Sequence, residues 1–390
     1  MNLDIYVKYI THVLSSTIQG KEPDNIPPEI DLEFLFRLCR FHRIENIIYL
    51  ALQDKLTNEV KTLFEQAYEK SVYVQAMQHY YLEAIETAFE AEGIDYLLLK
   101  GKEISSLYPT EDMRQSSDFD IYIGRENAEK AKDIMLREGF EIEAYSNTND
   151  DHDEYIADKI ILCELHRVLI QNKHPWQEEC NKITDRLERV DTSHRMKMNN
   201  EDFYVYNLAH TAKHMKFSGI GIRAFLDMWI IYNKLKDSLD EKLLAQTLEK
   251  CNLTAFDKNS RKLCAYWFEG KSADETTLAM ADYVVKSGWV GTYEQMHSTA
   301  LAENAGSTNS VQYAKFKRYW NMLAVPYDKM CVRFPILAKY KFLTPFFHIY
   351  RIFRTLFKRR DLIKDINAEM ESGDIKTGKA ILELKKSIGL

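Results

Sequence analysis

Apolar and polar positions repeat with two different periods along this chain, and the change of period divides it. In residues 1–92 the spacing is helical. Leu32, Phe34, Leu35, Leu38 and Cys39 share one face and Ile44–Leu50 continue it. Val60–Glu92 is a long amphipathic stretch without Gly or Pro, closed by Gly93. Beyond Gly93 short apolar runs alternate with turns. Tyr96–Lys100 predicts a strand, Lys102–Leu107 a helix, Tyr108-Pro109-Thr110 a break and Asp118–Ile123 a second strand. Glu126–Glu138 predicts a helix ended by Gly139. Phe140–Ala144 and Tyr155–Ala157 predict strands flanking a polar loop, and Ile160–His166 a further strand. Past Asp202 the helical period returns in Phe203–Phe217, Ile222–Leu235, Glu241–Cys251, Ser260–Trp267 and Thr276–Val285, and Ala302–Ser310 reads as a linker.

Short strands mixed with helices, without a regular strand–helix–strand repeat, predict an α+β fold: a small mixed sheet flanked by N-terminal and C-terminal helical regions. Four regions follow: 1–92, N-terminal helical; 93–200, the α+β core; 201–301, a helical domain packing on the site that the core carries; 302–390, a basic, aromatic helical region. A chain of 390 residues is long enough for two domains or one domain with helical additions. The net charge of −7 argues against chain-wide binding to nucleic acid and favours a small-molecule or protein partner. Six scattered cysteines without a Cys-x-x-Cys pair read as reduced, mostly buried thiols of a cytoplasmic protein. Met1–Lys8 lacks the unbroken apolar run of a signal peptide, and no segment approaches the ~20 apolar residues of a membrane span.

The candidate chemistry sits in the core. On a strand Asp118 and Asp120 project together, while Phe119, Ile121 and Ile123 point the other way. Side-by-side carboxylates repel unless a cation lies between them or one keeps its proton. Mg²⁺ commonly binds through one or two carboxylates plus substrate phosphates, which points to phosphoryl-transfer chemistry. Glu164 and His166 share one face of the later strand, so Glu164 supplies a third acid. Two aspartates and a later acid have room for two metal ions, with one carboxylate near an attacking hydroxyl. Gly101 lets the backbone approach a phosphate, and Lys100 or Lys102 offers a point charge. Arg114 is placed either to grip a phosphate or to pair with Glu111 or Asp112; Ser116 and Ser117 are phosphate donors or turn residues.

The arrangement resembles the polymerase-β-like nucleotidyltransferase superfamily, and more closely its family of uncharacterised nucleotidyltransferases. That family's strand, Lys-Gly turn and helix are similar to the segment around Lys100-Gly101. Its Arg-x-x-x-Asp-x-Asp segment is similar to Arg114–Asp120, and its acid-Leu-His strand to Glu164-Leu165-His166. The similarity starts near Phe41-His42-Arg43-Ile44-Glu45-Asn46 and continues through His210-x-x-x-His214 and Arg223-Ala224-Phe225-Leu226-Asp227. The superfamily usually has Gly-Ser or Gly-Gly at the first turn. Here Gly101-Lys102 stands there, leaving Lys102, Ser116 or Ser117 to take the serine's place.

The resemblance implies transfer of a nucleoside monophosphate from a nucleoside triphosphate, ATP being the expected donor, to a hydroxyl of a small molecule or protein. It implies Asp118, Asp120 and Glu164 as catalytic residues and ligands for Mg²⁺, with two ions accommodated and Mn²⁺ a substitute. It also implies nucleotide contacts from Lys100, Gly101, Lys102, Arg114, Ser116, Ser117, His166, His214, Arg223 and Asp227. Two other readings compete: a nucleotide-binding regulatory module with little turnover, and a membrane-peripheral protein that modifies cell-surface precursors.

Outside this pattern, the intervening Thr211-Ala212-Lys213 makes a structural His210–His214 pair, or one nucleotide contact, a better reading than a zinc motif. Arg223 and Asp227 have the spacing of an intrahelical ion pair. Asn149–Glu154 reads as a solvated acidic loop, lacking the glycine and spacing of an EF-hand. Residues 314–360 have Asp328 as their sole acid among many Lys, Arg, Phe and Tyr. They read as helix whose aromatics pack on the body of the protein, with contact to an anionic membrane surface the competing reading.

Overall fold

The computed structural model describes residues 2–144, 151–170, 174–289 and 291–306. Of the C-terminal stretch it describes 310–323, 325, 327, 330–331, 334–358 and 373–390. The chain divides into two compact units. One comprises residues 1–216, 220–290 and 388–390, the other 217–219 and 291–387.

The first unit opens with α1 (Leu3–Ile18), α2 (Leu32–His42), α3 (Glu45–Leu52) and the long α4 (Asn58–Glu92). Asp31 caps α2 by accepting from the Phe34 amide, and Gly93 ends α4 at φ 67°, a left-handed conformation glycine adopts without steric cost. The core follows as β1 (Tyr96–Leu99), α5 (Gly101–Ser105), β2 (Asp118–Tyr122), α6 (Ala128–Arg137), β3 (Glu141–Ala144), β4 (His152–Ala157) and β5 (Ile161–His166). After α7 (Gln177–Asn181) come two short strands, β6 (Glu188–Arg189) and β7 (Arg195–Lys197). The remaining helices of this unit are α8 (Asn200–Phe217), α9 (Ile222–Leu235), α10 (Glu241–Lys250), α11 (Thr254–Glu269) and α12 (Glu275–Ser287).

The sheet runs β3-β4-β5-β2-β1-β7-β6. β2–β5 and β1–β7 are parallel and the other pairs antiparallel, so the fold is α+β with a mixed sheet. Phe119, Ile121, Cys163 and Leu165 join Phe89 of α4 with Ile134 and Met135 of α6 in one buried core. Burying each large apolar side chain is worth roughly 1.5–3 kcal/mol. That burial anchors β2 and β5 and fixes the register that aims their alternate residues at the other face.

In the second unit Tyr293–Ala305 packs against Ile375–Ser387. The Asp374 amide donates to the Ser298 hydroxyl at 3.0 Å.

Three expectations change. Ala302–Ala305 continue the helix Tyr293–Ala305 rather than beginning a linker, and 307–309 lie outside the described residues. His152–Glu154 are strand, paired with β5, rather than solvated loop, while Asn149 and Asp150 lie outside the described residues. In the C-terminal helix Thr344–Lys358 the packing is partial: Phe347 and Tyr350 meet the Phe334 ring, at 4.8 and 6.3 Å between centroids, while Phe346, Ile349 and Phe353 are exposed. No described helix is long and apolar enough to cross a membrane. All six cysteines are free thiols, Cys331 half-buried and the others buried.

Candidate active site

The parallel register sets Asp120 opposite Glu164 and Tyr122 opposite His166. With the apolar residues of β2 and β5 turned to the core, Asp118, Asp120, Glu164 and His166 face a cavity of about 370 Å³. β1 ends at Leu99, and Lys100 turns the chain at φ 40°, ψ −89°. A non-glycine residue held there costs on the order of 1–3 kcal/mol, an outlay the surroundings must enforce. The turn buries the Lys100 ammonium 3.5 Å from Asp120 Oδ1. Gly101 follows where the chain passes β2 closely: a Cβ there would stand 3.1 Å from Ser116 Oγ.

The three acids differ in charge balance. Burial works to raise Asp120, but Lys100 and the hydrogen bond with His166 outweigh it and hold this carboxyl well below the usual range. His166 Nε2 lies 2.9 Å from Asp120 Oδ1 and 3.2 Å from Glu164 Oε2. Burial alone would lower His166, yet these carboxylates raise it. Glu164 is lowered because its bond to His166 prevails over burial. Asp118 is raised, first by burial and then by Asp120 and Glu164, with the Ser117 hydroxyl donating to it at 3.1 Å. Burial and two neighbouring carboxylates thus disfavour the charged form of Asp118, while Asp120 and Glu164 are held ionised by Lys100 and His166.

Helices α8 and α9 bring a different set of groups. Asp227 accepts two hydrogen bonds from Arg114, at 2.9 Å from Nε and 3.0 Å from Nη2, and a third from the Tyr108 hydroxyl at 2.7 Å. Arg114 thus pairs with Asp227 rather than with Glu111 or Asp112, and Arg223 is left to donate to the Gln115 carbonyl at 2.8 Å. Burial pushes Arg223 down to about 10, with Arg114 adding to the effect. His210 and His214 meet at 2.9 Å between their Nε2 atoms, one ring donating to the other. Burial lowers both, His214 to about 3, with Lys100 contributing. Arg43 lies over the Trp289 ring at 3.7 Å.

Every residue singled out from the sequence lines this one cavity except Lys102. Lys102 instead donates to Glu111 at 2.7 Å and lies 3.2 Å from His79. Ser116 lines the cavity while donating to the Asp118 carbonyl at 2.7 Å. His152, Asn207, Thr211, Lys213 and Trp289 also line it and were not singled out. For His152 the available signal was strand pairing, since β4 antiparallel to β5 sets it opposite His166.

No curated protein matches the chain. The sequence profile of the family described as "Uncharacterised nucleotidyltransferase" matches residues 28–269, more than half of the chain and the whole of the cavity's sheet wall. The chain belongs to this uncharacterised nucleotidyltransferase family.

Proposed function

We propose that the protein moves a nucleoside monophosphate from a nucleoside triphosphate, ATP first among them, onto a hydroxyl of a small molecule or protein in a divalent-metal-dependent reaction. One observation carries this reading: three carboxylates from adjacent strands converge on a cavity whose facing wall holds guanidinium and imidazole groups. The convergence of Asp118, Asp120 and Glu164 on one cavity supports a cation there, and Asp118, raised first by burial and then by its two carboxylate neighbours, would be held ionised by one. All-oxygen ligands suit Mg²⁺ or Mn²⁺ on Asp118, Asp120 and Glu164. Bound there, an ion would supply charge neutralisation and orientation for the triphosphate.

The chain's own groups would do the rest. Lys100 keeps Asp120 ionised and fixed. Arg223 and the backbone at Gly101 grip phosphate oxygens, while Arg114, locked by Asp227, holds the Gly101 turn through a 3.4 Å bond to its carbonyl. The acceptor oxygen bonds to the α-phosphorus, its proton passes toward Glu164, and the α–β bridging P–O bond breaks to release pyrophosphate. Catalysis rests on positioning and electrostatics.

The test is label transfer from α-labelled nucleoside triphosphates in cell extract with Mg²⁺ or Mn²⁺. The wild type is compared with the double variant Asp118→Ala, Asp120→Ala. Label moving to a protein or metabolite only with wild type is the expected result. Metal-dependent nucleotide binding without transfer, lost in the double variant, would favour the regulatory module instead.

The C-terminal helix supports a second reading, contact with an anionic lipid surface. Phe346, Ile349, Tyr350 and Phe353 stand at i, i+3, i+4 and i+7 and are exposed, in a stretch rich in Lys and Arg. Cosedimentation with anionic but not neutral vesicles, lost on truncation before Ala314, is the expected outcome. Equal behaviour of both chains would remove this reading.

A further inference from the structure

Two imidazoles stand beside the acids, and the all-carboxylate account gives no role to one of them. His152 opens β4 directly opposite His166, with their rings stacked at 5.3 Å and 26°. Glu164, two residues before His166 on β5, places its Oε2 3.2 Å from His166 Nε2. One ligand atom each from His152, Glu164 and His166 falls within 4.8 Å of the other two. Tetrahedral ligands at about 2.0–2.2 Å from one ion stand roughly 3.3–3.6 Å apart. Side-chain rotations that bring the three atoms closer by up to roughly 1.5 Å would close the set on a single ion. Glu154, two residues along β4, lies 3.3 Å from His152 Nε2, the kind of neighbouring carboxylate that fixes the orientation of a ligating imidazole.

We propose that His152, Glu164 and His166 form a site for a zinc-class transition-metal ion, which shares Glu164 with the oxygen-ligand position of Asp118 and Asp120. The argument is the donor set. Two nitrogens and one carboxylate suit Zn²⁺, Co²⁺, Mn²⁺ or Fe²⁺, whereas Mg²⁺ favours an all-oxygen octahedron. Three protein ligands leave a position for water or a substrate oxygen, and all three residues line the cavity. The inference deepens the transfer reading by naming the class of ion at the Glu164 end. It stands on ligand geometry, so it holds or fails whether or not nucleotidyl transfer is found.

The full-length chain, stripped of metal, would be titrated with Co²⁺ and followed by its visible absorption. Calorimetry with Zn²⁺ and Mg²⁺ would run alongside, on wild type, His152→Ala and Asp118→Asn. The expected result is one Co²⁺ per chain with an imidazole-type spectrum. Affinity should fall at least about tenfold in His152→Ala and hold in Asp118→Asn, with no displacement by an equal concentration of Mg²⁺. Equal binding by His152→Ala and wild type would overturn the proposal. So would loss in Asp118→Asn alone, or ready displacement by Mg²⁺, since each puts the ion on the carboxylates. Should His152→Ala fail to fold, pulsed EPR of the Asp118→Asn chain loaded with Mn²⁺ decides: imidazole nitrogen coupling supports the site and its absence removes it. A failed label-transfer assay with intact, His152-dependent Co²⁺ binding would sink the transfer reading and leave this one standing.

Discussion

The sheet wall of the cavity and its helical wall solve opposite electrostatic problems. On β2 and β5 three carboxylates are packed together, with Lys100 and His166 offsetting part of their charge. On α8 and α9 the histidines are pushed toward neutrality, and Arg223 is held close to Arg114, a like charge. Burial disfavours charge on both walls, and neighbours of like charge add to it, for Asp118 on one and for Arg223 on the other. The metal-bound triphosphate proposed above would answer both, with cations toward one wall and phosphate oxygens toward the other. The difference teaches that the two walls disfavour charges of opposite sign, so single substitutions on them should have contrasting effects.

The largest effect belongs to the acids. Asp118→Asn or Asp120→Asn should each lower transfer by at least roughly 10³-fold in a label assay. Their stabilities should split. Asp118 is raised, first by burial and then by Asp120 and Glu164, so its neutral replacement should raise the melting temperature of metal-free protein. Asp120→Asn should lower it, because Lys100 and His166 lose their counter-ion. Matching shifts of the same sign would break the contrast.

Next comes the clamp on the helical wall. Asp227→Ala leaves a buried guanidinium and the Tyr108 hydroxyl without their acceptor, which should cost about 3–5 kcal/mol in denaturant unfolding. Replacing Arg114 by Met in the same chain should recover much of the loss. Arg223→Ala should behave differently. It should weaken nucleotide binding by 1.5–3 kcal/mol, roughly 10- to 150-fold by calorimetry, while sparing stability. A large fall in melting temperature would instead make Arg223 a structural residue.

The most gradual effect, spread over several pH units, is in pH dependence, and again the walls differ in sign. His214 is pushed down to about 3, so it stays neutral in the folded chain while the unfolded chain protonates near 6.5. Its contribution is present above 6.5 and lost as pH falls toward 3, by about 1.4 kcal/mol per pH unit. His166 is raised, so its contribution is full below 6.5 and is lost as pH rises through its folded value. His214→Gln should flatten the acid limb of melting temperature against pH, and His166→Gln the limb above neutrality.

Much of the sheet wall was legible because alternation on β2 and β5 separates core from cavity in sequence. The Lys100-Gly101 turn was legible because glycine marks a close approach. The helical wall was less so. Arg114 and Asp227 are 113 residues apart, and local spacing suggested Glu111, Asp112 or Arg223 as partners instead. Lys102 follows Gly101 directly, yet its helix turns it toward Glu111. β6 and β7 span two and three residues, too short to display any period. His152 was read into a polar loop, because the pairing that makes it a strand residue is nonlocal.

The most direct test of the central claim is which phosphorus is attacked. Purified protein with extract would be given ATP labelled at the α or the γ position, in parallel. Attack at the α-phosphorus predicts α label on the acceptor and γ label in pyrophosphate. Label from the γ position on the acceptor, with α label left in nucleoside diphosphate, would contradict the account and make the protein a phosphotransferase of another kind.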